Sequence, residues 1–183
     1  MTPIQPPDID DKPRFEALVL VHLDAAYNLA RWLVRGEHDA QDVVQEAFLR
    51  AYKAFASLRG AADARCWLLA IVRNTCRTWL DRNRRDEPAT LTDDDLEHAG
   101  NDGGAGDPQR AMLRRADAAE VRAAIETLPP EFREVIVLRE LEGLSYKEIA
   151  DVAGVPVGTV MSRLARGRRR LEVVLSPQLQ EEA

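Results

Sequence analysis

The sequence predicts an all-α protein of two small helical domains joined by a flexible acidic linker. Three observations carry this. Apolar residues recur in steps of three and four from Phe15 to Leu80 and again from Met112 to Leu171, the period of helices with one buried face. Between these stretches DEPATLTDDDLEHAGNDGGAGD, residues 86–107, has no period, several glycines and no Lys or Arg. Finally, LSYKEIADVAGVPVGTVMSRLARGRRRL, residues 144–171, packs a helix cap, a tight turn and a basic helix into one short run. The chain divides into a disordered N-terminus (1–12), a first domain (13–85), the acidic linker (86–110), a second domain (111–175) and a tail (176–183).

The N-terminus is rich in Pro and Asp and predicts disorder up to Pro13. Phe15, Leu18, Val19, Leu23, Ala26, Ala30 and Leu33 then form one face of a helix of about five turns, which Gly36 ends. Asp39 caps the next helix, which runs to about Ser57 with Val44, Phe48, Ala51 and Phe55 inward. Its outer face carries Asp42, Gln45, Glu46, Arg50 and Lys53, and spacing alone reads that face as solvated. Asp39, Asp42 and Glu46 make a weak metal set, because no histidine or further acid completes a shell at helical spacing. After the Leu58-Arg59-Gly60 loop, Asp63 starts a third helix to about Arg85. Trp67, Leu68, Ile71, Val72, Cys76, Trp79 and Leu80 form its apolar side; Arg73, Asn74, Arg77, Thr78, Asp81, Arg84 and Arg85 form its polar side. Arginines beside an asparagine and tryptophans suit phosphates and exposed bases.

In the second domain a helix is expected from about Pro108 to Thr127, with Met112, Ala116, Ala119 and Ala123 inward, broken by Leu128-Pro129-Pro130. The following helix buries Phe132, Val135, Ile136 and Leu138 and stops at Gly143. Ser145 and Glu148 have capping-box spacing. Gly154 supplies a turn that needs a positive φ, and Pro156 suits the first turn of the last helix. Val160 and Leu164 face inward; Thr159, Ser162, Arg166, Arg168, Arg169 and Arg170 face out. Two short helices around a tight turn, the second basic on its outer side, have the shape that enters a DNA major groove.

Composition bounds the rest. The 183 residues are 45% hydrophobic and 31% charged, as in globular chains. No apolar run approaches the roughly 20 residues of a membrane helix, and no basic start precedes an apolar run, so neither insertion nor a secretion signal is expected. Cys66 and Cys76 read as reduced thiols. The net charge of −6 hides a strong pattern. Residues 65–85 hold six arginines against one acid, residues 159–171 hold five arginines and no acid, and residues 86–107 hold eight acids. The 22 residues 86–107, extended, span roughly 70 Å, about two turns of B-DNA. Two rival classes remain at this level: a stand-alone helix-turn-helix repressor, which would want a dimerisation helix, and a metal-dependent nuclease, which would want more than the scattered His22, His38 and His98.

Three segments together resemble bacterial RNA polymerase sigma factors of the sigma-70 family, extracytoplasmic-function (ECF) type. DAQDVVQEAFLRAYKAF is similar to region 2.2, WLLAIVRNTCRTWLDRNRR to regions 2.3 and 2.4, and LPPEFREVIVLRELEGLSYKEIADVAGVPVGTVMSRLARGRRRL to region 4. The resemblance implies a cytoplasmic transcription initiation factor without cofactor or chemistry of its own. Its partners would be core RNA polymerase (β′ clamp helices and β flap), promoter DNA, and an anti-sigma factor acting in a stress or envelope response. It turns the solvated face into a docking face: Asp42, Gln45, Glu46, Leu49 and Arg50 meet the clamp helices. Arg59, Arg73, Asn74, Arg77, Thr78, Arg82, Arg84 and Arg85 hold the melted −10 strand, with Asn74 near a flipped base. Thr159, Met161, Ser162, Arg163, Ala165, Arg166 and Arg169 face the −35 duplex. The linker matches a segment that threads the polymerase's RNA exit path. The chain departs from the family at Leu58, where relatives often carry an aromatic, at Ala64, often phenylalanine, and at Met161, often Lys or Arg.

Overall fold

A computed structural model of the chain describes residues 11–58, 60–86 and 118–179. The linker from Glu87 onward, Arg59, Met112, Ala116 and the first ten residues lie outside the described residues.

Helix α1 (Asp11–Val19) begins inside the stretch expected to be disordered. Phe15 holds it there, meeting Phe48, Tyr52 and Phe55 edge-on at centroid distances of 6.4, 5.2 and 5.3 Å. A 3₁₀ turn (Leu20–His22) then separates α1 from α2 (Leu23–Val34). Its tighter winding shifts the phase of the face. Leu23, expected inward, is 44% exposed, and Leu29 and Val34 join the core instead. The stop is Arg35, left-handed at φ 69°, with its N–H on the Arg31 carbonyl; Gly36 is extended and caps the next helix. Residues Lys12–Val34 are long and apolar enough to cross a membrane by length and composition, contrary to the expectation above. Part of their apolar surface is packed: Phe15, Val19, Ala26, Leu29, Ala30 and Val34 are in the core, while Leu20, Val21 and Leu23 are exposed.

Helix α3 (Glu37–Lys53) has Gly36 as its cap and Asp39 inside its first turn, where the Asp39 carboxylate folds back over Gly36. The α-helix ends at Lys53, and a 3₁₀ turn carries the chain from Phe55 to Ser57. Helix α4 (Ala64–Asp86) lies across α2 and α3 and buries Leu68, Leu69, Val72 and Cys76 completely. Trp67 is half-buried, its Nε1 donating to Ser57 Oγ at 3.3 Å.

The C-terminal unit starts at helix α5 (118–126). Ala119 and Ala123, expected inward, are exposed; Ala124, Ile125 and Leu128 are the buried set. Helix α6 (Pro130–Ile136) begins on Pro130 and runs into a π turn (Val137–Leu141), which Gly143 ends at φ 68°. Helices α7 (Tyr146–Ala153) and α8 (Val157–Leu179) complete the unit. The tail expected from Ser176 is helical as far as Leu179. Helix α7 packs on α4 and α6 on α2, so one hydrophobic cluster runs through both units.

Candidate functional site

The outward basic helix is placed by short-range devices. The Glu148 N–H donates to Ser145 Oγ at 3.3 Å, and the Ser145 N–H donates to Glu148 Oε2 at 2.7 Å. The Ser145 hydrogen bonds hold the Glu148 carboxyl below its usual range. Gly154 turns left-handed at φ 64°, its N–H on the Ala150 carbonyl. Pro156 sits just ahead of α8, and its carbonyl takes the N–H of Thr159 and of Val160. Val160 and Leu164 are buried against α6 and α7, which turns the opposite side of α8 to solvent. Met161, Ser162, Ala165, Arg166 and Arg169 are exposed there; Thr159 and Arg163 are half-buried.

The arginine run divides by role. Arg168 donates from Nε and Nη2 to Glu140 Oε1, at 3.0 and 2.7 Å, which raises its pKa. Arg170 lies over the Phe132 ring at 5.2 Å. Arg166 and Arg169 make no ion pair among the described residues. Arg166, Arg169 and Arg170 also line an open groove of about 530 Å³ between α6 and the C-terminal half of α8, together with Thr127, Leu128, Phe132, Val173 and Val174.

On α4, Asn74, Arg77 and Arg82 are exposed and Thr78 half-buried, its hydroxyl donating to the Asn74 carbonyl. Arg84 and Arg85 extend the same helix, and Arg59 lies outside the described residues. Arg73 departs from the expectation of an open polar face. It is 7% exposed, because α6 covers it. Its Nε donates to Glu134 Oε1 at 2.5 Å and its Nη1 to Asn74 Oδ1 at 3.3 Å.

The outer face of α3 is open. Asp42, Gln45, Glu46 and Leu49 are exposed, Leu49 to 58%, and Arg50 is half-buried. Arg50 Nε donates to Glu46 Oε1 at 2.8 Å, and that bond holds the Glu46 carboxyl below its usual range.

Sequence reasoning missed a second set of polar groups, between the two units. Arg133 is 1% exposed. Its Nη1 donates to the Trp32 carbonyl at 3.2 Å, and its Nη2 to the carbonyls of Glu126 and Leu128 at 3.0 and 2.7 Å. Its Nε has no partner, and burial, helped by Arg35, lowers its pKa to about 10. Arg35 donates to the Glu126 carbonyl at 2.9 Å. Glu142, also buried, accepts from Asn28 and Arg65. The signal in the sequence was slight: Arg133, Glu134 and Glu142 share residues 131–144 with Glu131, Arg139 and Glu140, which are exposed or half-buried, so charge beside apolar residues did not single out the buried three. Cys66 and Cys76 are free thiols, pushed up to about 11 and about 12, each chiefly by burial. Among the described residues no group of His, Cys, Asp or Glu could hold a metal ion.

A helix-turn-helix with an outward basic helix, packed on a helical unit with its own polar cationic helix, defines a DNA-binding protein of two helical units. The family model of sigma-70 region 2 matches residues 18–86 and that of sigma-70 region 4 matches residues 118–171. The chain belongs to the sigma-70 family of RNA polymerase sigma factors, with the ECF members, and directs RNA polymerase to promoters. It is 41% identical over 93% of its length to the RNA polymerase sigma-H factor of Pseudomonas aeruginosa, covering 91% of that protein. It is 37% identical over 91% of its length to the ECF RNA polymerase sigma-E factor of Escherichia coli, covering 89% of it. Among solved structures it is similar to the sigma factor RpoE of Bartonella quintana in complex with the anti-sigma factor NepR, at TM-score 0.71 and 26% identity. That match covers 91% of this chain and 97% of the other. CnrH in complex with the cytosolic domain of CnrY is similar at TM-score 0.62 and 29% identity, covering 91% and 90%.

Proposed function

We propose that three separate surfaces carry the work of promoter-directed initiation. Asp42, Gln45, Glu46, Leu49 and Arg50 on α3 dock on the β′ clamp helices of core polymerase. Asn74, Arg77, Thr78 and Arg82 on α4, with Arg59, Arg73, Arg84 and Arg85, hold the melted −10 strand. Thr159, Met161, Ser162, Arg163, Ala165, Arg166 and Arg169 on α8 face the −35 duplex. The observation that carries this reading is the division of α8: Val160 and Leu164 are buried while Ser162, Ala165, Arg166 and Arg169 stand open.

The mechanism is differential binding, and the chemistry belongs to the polymerase core in the bacterial cytoplasm. Contacts to unpaired −10 bases and phosphates exist only after melting, so their energy offsets the cost of unpairing. Phosphate contacts from α8 set register and its side chains read base edges. The apolar part of the groove between α6 and α8, formed by Leu128, Phe132, Val173 and Val174, is the surface offered to the β flap, and it adjoins the arginines assigned to the −35 duplex. Control by an anti-sigma factor is supported by two similar sigma factors whose solved structures hold one. Run-off transcription with purified core polymerase on a promoter library tests the whole reading. Selective initiation only when this chain is present is expected; a footprint on free duplex without initiation would instead identify a repressor.

A further inference from the structure

The exposed side of α8 is not uniformly polar. Val157, Met161 and Ala165 recur every fourth residue from its first turn, so they stand above one another along the helix. Val157 is 41% exposed and Met161 53%. Gly158 lies beside them, and a Cβ there would meet nothing within 4 Å, so the helix surface is open at that point. This apolar strip runs alongside the polar strip of Ser162, Arg166 and Arg169. The core under α8 is served by the opposite side, where Val160 and Leu164 are buried.

Position decides what the strip meets. A helix that enters a major groove presents the residues of its N-terminal part to base edges. Arg163, Arg166 and Arg169 beside the strip carry the positive charge that suits the phosphates flanking that groove. A thioether and an isopropyl group offer no strong hydrogen bond, so they cannot pair with the donors and acceptors of guanine, adenine or cytosine. Pressed against such an edge they would displace water and leave it unpaired, at a cost. The apolar group on the major-groove edge is the C5-methyl of thymine. Met161 is unbranched and flexible, so its side chain can settle on a methyl without a preset fit.

We infer that Met161, with Val157 beside it, reads thymine C5-methyl groups in the −35 duplex, so that one side of α8 selects 5-methylpyrimidines by apolar contact while the other uses serine and arginine. The inference rests on the reading of α8 as the −35 helix. It gives Met161 a consequence of its own: a lysine or arginine at this position would favour guanine O6 and N7, and methionine moves the preference to thymine.

The test uses holoenzyme assembled from the full chain and core polymerase. Promoter fragments with a randomised −35 segment are selected by binding. The preferred fragment is then rebuilt with deoxyuridine in place of each −35 thymidine in turn, on either strand, which removes only the methyl. Wild type is expected to bind at least one deoxyuridine form about fourfold more weakly, the worth of one buried methyl. Met161→Gln, similar in length but polar, is expected to lose that difference, and Met161→Leu to keep it. Equal binding of thymidine and deoxyuridine forms by wild type at every position would overturn the methyl reading. So would an undiminished difference in Met161→Gln, or a selected element without an A·T pair. Should Met161→Gln bind too weakly to compare, loss of the difference in Met161→Leu would overturn it. The −35 reading is scored apart from this, by the selection itself. A −35 preference that emerges while thymidine and deoxyuridine bind alike leaves the −35 helix standing and removes the methyl contact; a pool that emerges with no −35 preference removes both.

Discussion

Gly167 on α8 packs directly on Ile136 of α6: a Cβ at Gly167 would lie 3.0 Å from Ile136 Cγ1 and 3.3 Å from Cδ1. Ile136 is 1% exposed and has little room to yield. Alanine is the better helix former by about 1 kcal/mol. Overpacking a filled core costs about 1–3 kcal/mol. Gly167→Ala is therefore expected to lose about 1 kcal/mol of stability in urea unfolding, and Gly167→Leu far more. A raised midpoint for the alanine variant would show that α8 can shift without penalty.

The reciprocal bonds of Ser145 and Glu148 make a second prediction. Ser145→Ala removes the cap of α7 and is expected to cost about 1 kcal/mol. The same device carries a pH dependence. The Glu148 carboxyl is held below its usual range by Ser145, so the folded state prefers the carboxylate. That contribution is present above the ordinary carboxyl pKa and is lost as pH falls through the lowered one. Thermal melts of wild type and Glu148→Gln should converge in acid, and a difference that persists unchanged there would remove the carboxylate from the explanation.

The local devices were legible because each is written within a few residues. The Ser145–Glu148 spacing, Gly154, and the Val160–Leu164 stripe needed no distant partner, and the structure has all of them. Errors came where a partner outside the window decides. The 3₁₀ turn at Leu20–His22 rotated Leu23 outward, a phase change that a periodic reading of α1 and α2 as one helix could not contain. Ala119 and Ala123 fit an inward stripe as well as Ala124 does; alanine is too small to declare its side. The burial of Arg73 depends on Glu134, 61 positions away, and the burial of Arg133 on a carbonyl of Trp32, 101 positions away. A long-range ion pair leaves no periodic trace.

Cys66 gives a chemical reporter of the contact between the units. Burial and then the nearby Glu148 push its thiol up to about 11. A rise of about two units cuts the thiolate near neutral pH roughly a hundredfold, and the greater nucleophilicity of a more basic thiolate recovers about tenfold. Alkylation by iodoacetamide, followed by mass spectrometry, should thus run about tenfold slower than for an unstructured thiol. Separating the units withdraws Glu148 and exposes the sulfur, so Glu134→Ala/Glu142→Ala should restore most of that rate. The raised pKa also stabilises the fold below the ordinary thiol pKa, a contribution lost as pH climbs through the raised one. Equal alkylation rates in wild type and variant would mean the environment of Cys66 does not change with Glu134 and Glu142.

Arg166 and Arg169 should separate two kinds of −35 contact. Both stand exposed on the outer face of α8. If Arg166 reads a base edge, Arg166→Ala costs about 1–3 kcal/mol and flattens the preference among −35 variants at one position. Arg169→Ala, removing a phosphate contact, weakens all promoters alike and lowers the salt slope by about one. Competition assays with holoenzyme on substituted −35 elements distinguish them. An Arg166→Ala holoenzyme with unaltered preference would remove that residue from base readout.

Asn74 is the sharpest test of the α4 face. It is exposed beside Arg73, its side-chain oxygen accepts from that arginine at 3.3 Å, and its amide nitrogen has no hydrogen-bond partner among the described residues. On the proposed reading, Asn74→Ala removes a group that acts only on unpaired DNA. With core binding assigned to α3 and closed-complex formation to α8, neither should change. Promoter opening should fall, because a contact made only after melting no longer offsets the cost of unpairing. Permanganate reactivity of −10 thymines reports opening, and native gel shifts report core binding and the closed complex. A loss of about tenfold in opening at equal closed-complex affinity corresponds to about 1.4 kcal/mol of melted-state stabilisation. Loss of core binding instead would place Asn74 at the polymerase contact, and intact opening would leave the melted strand to the arginines of α4 alone.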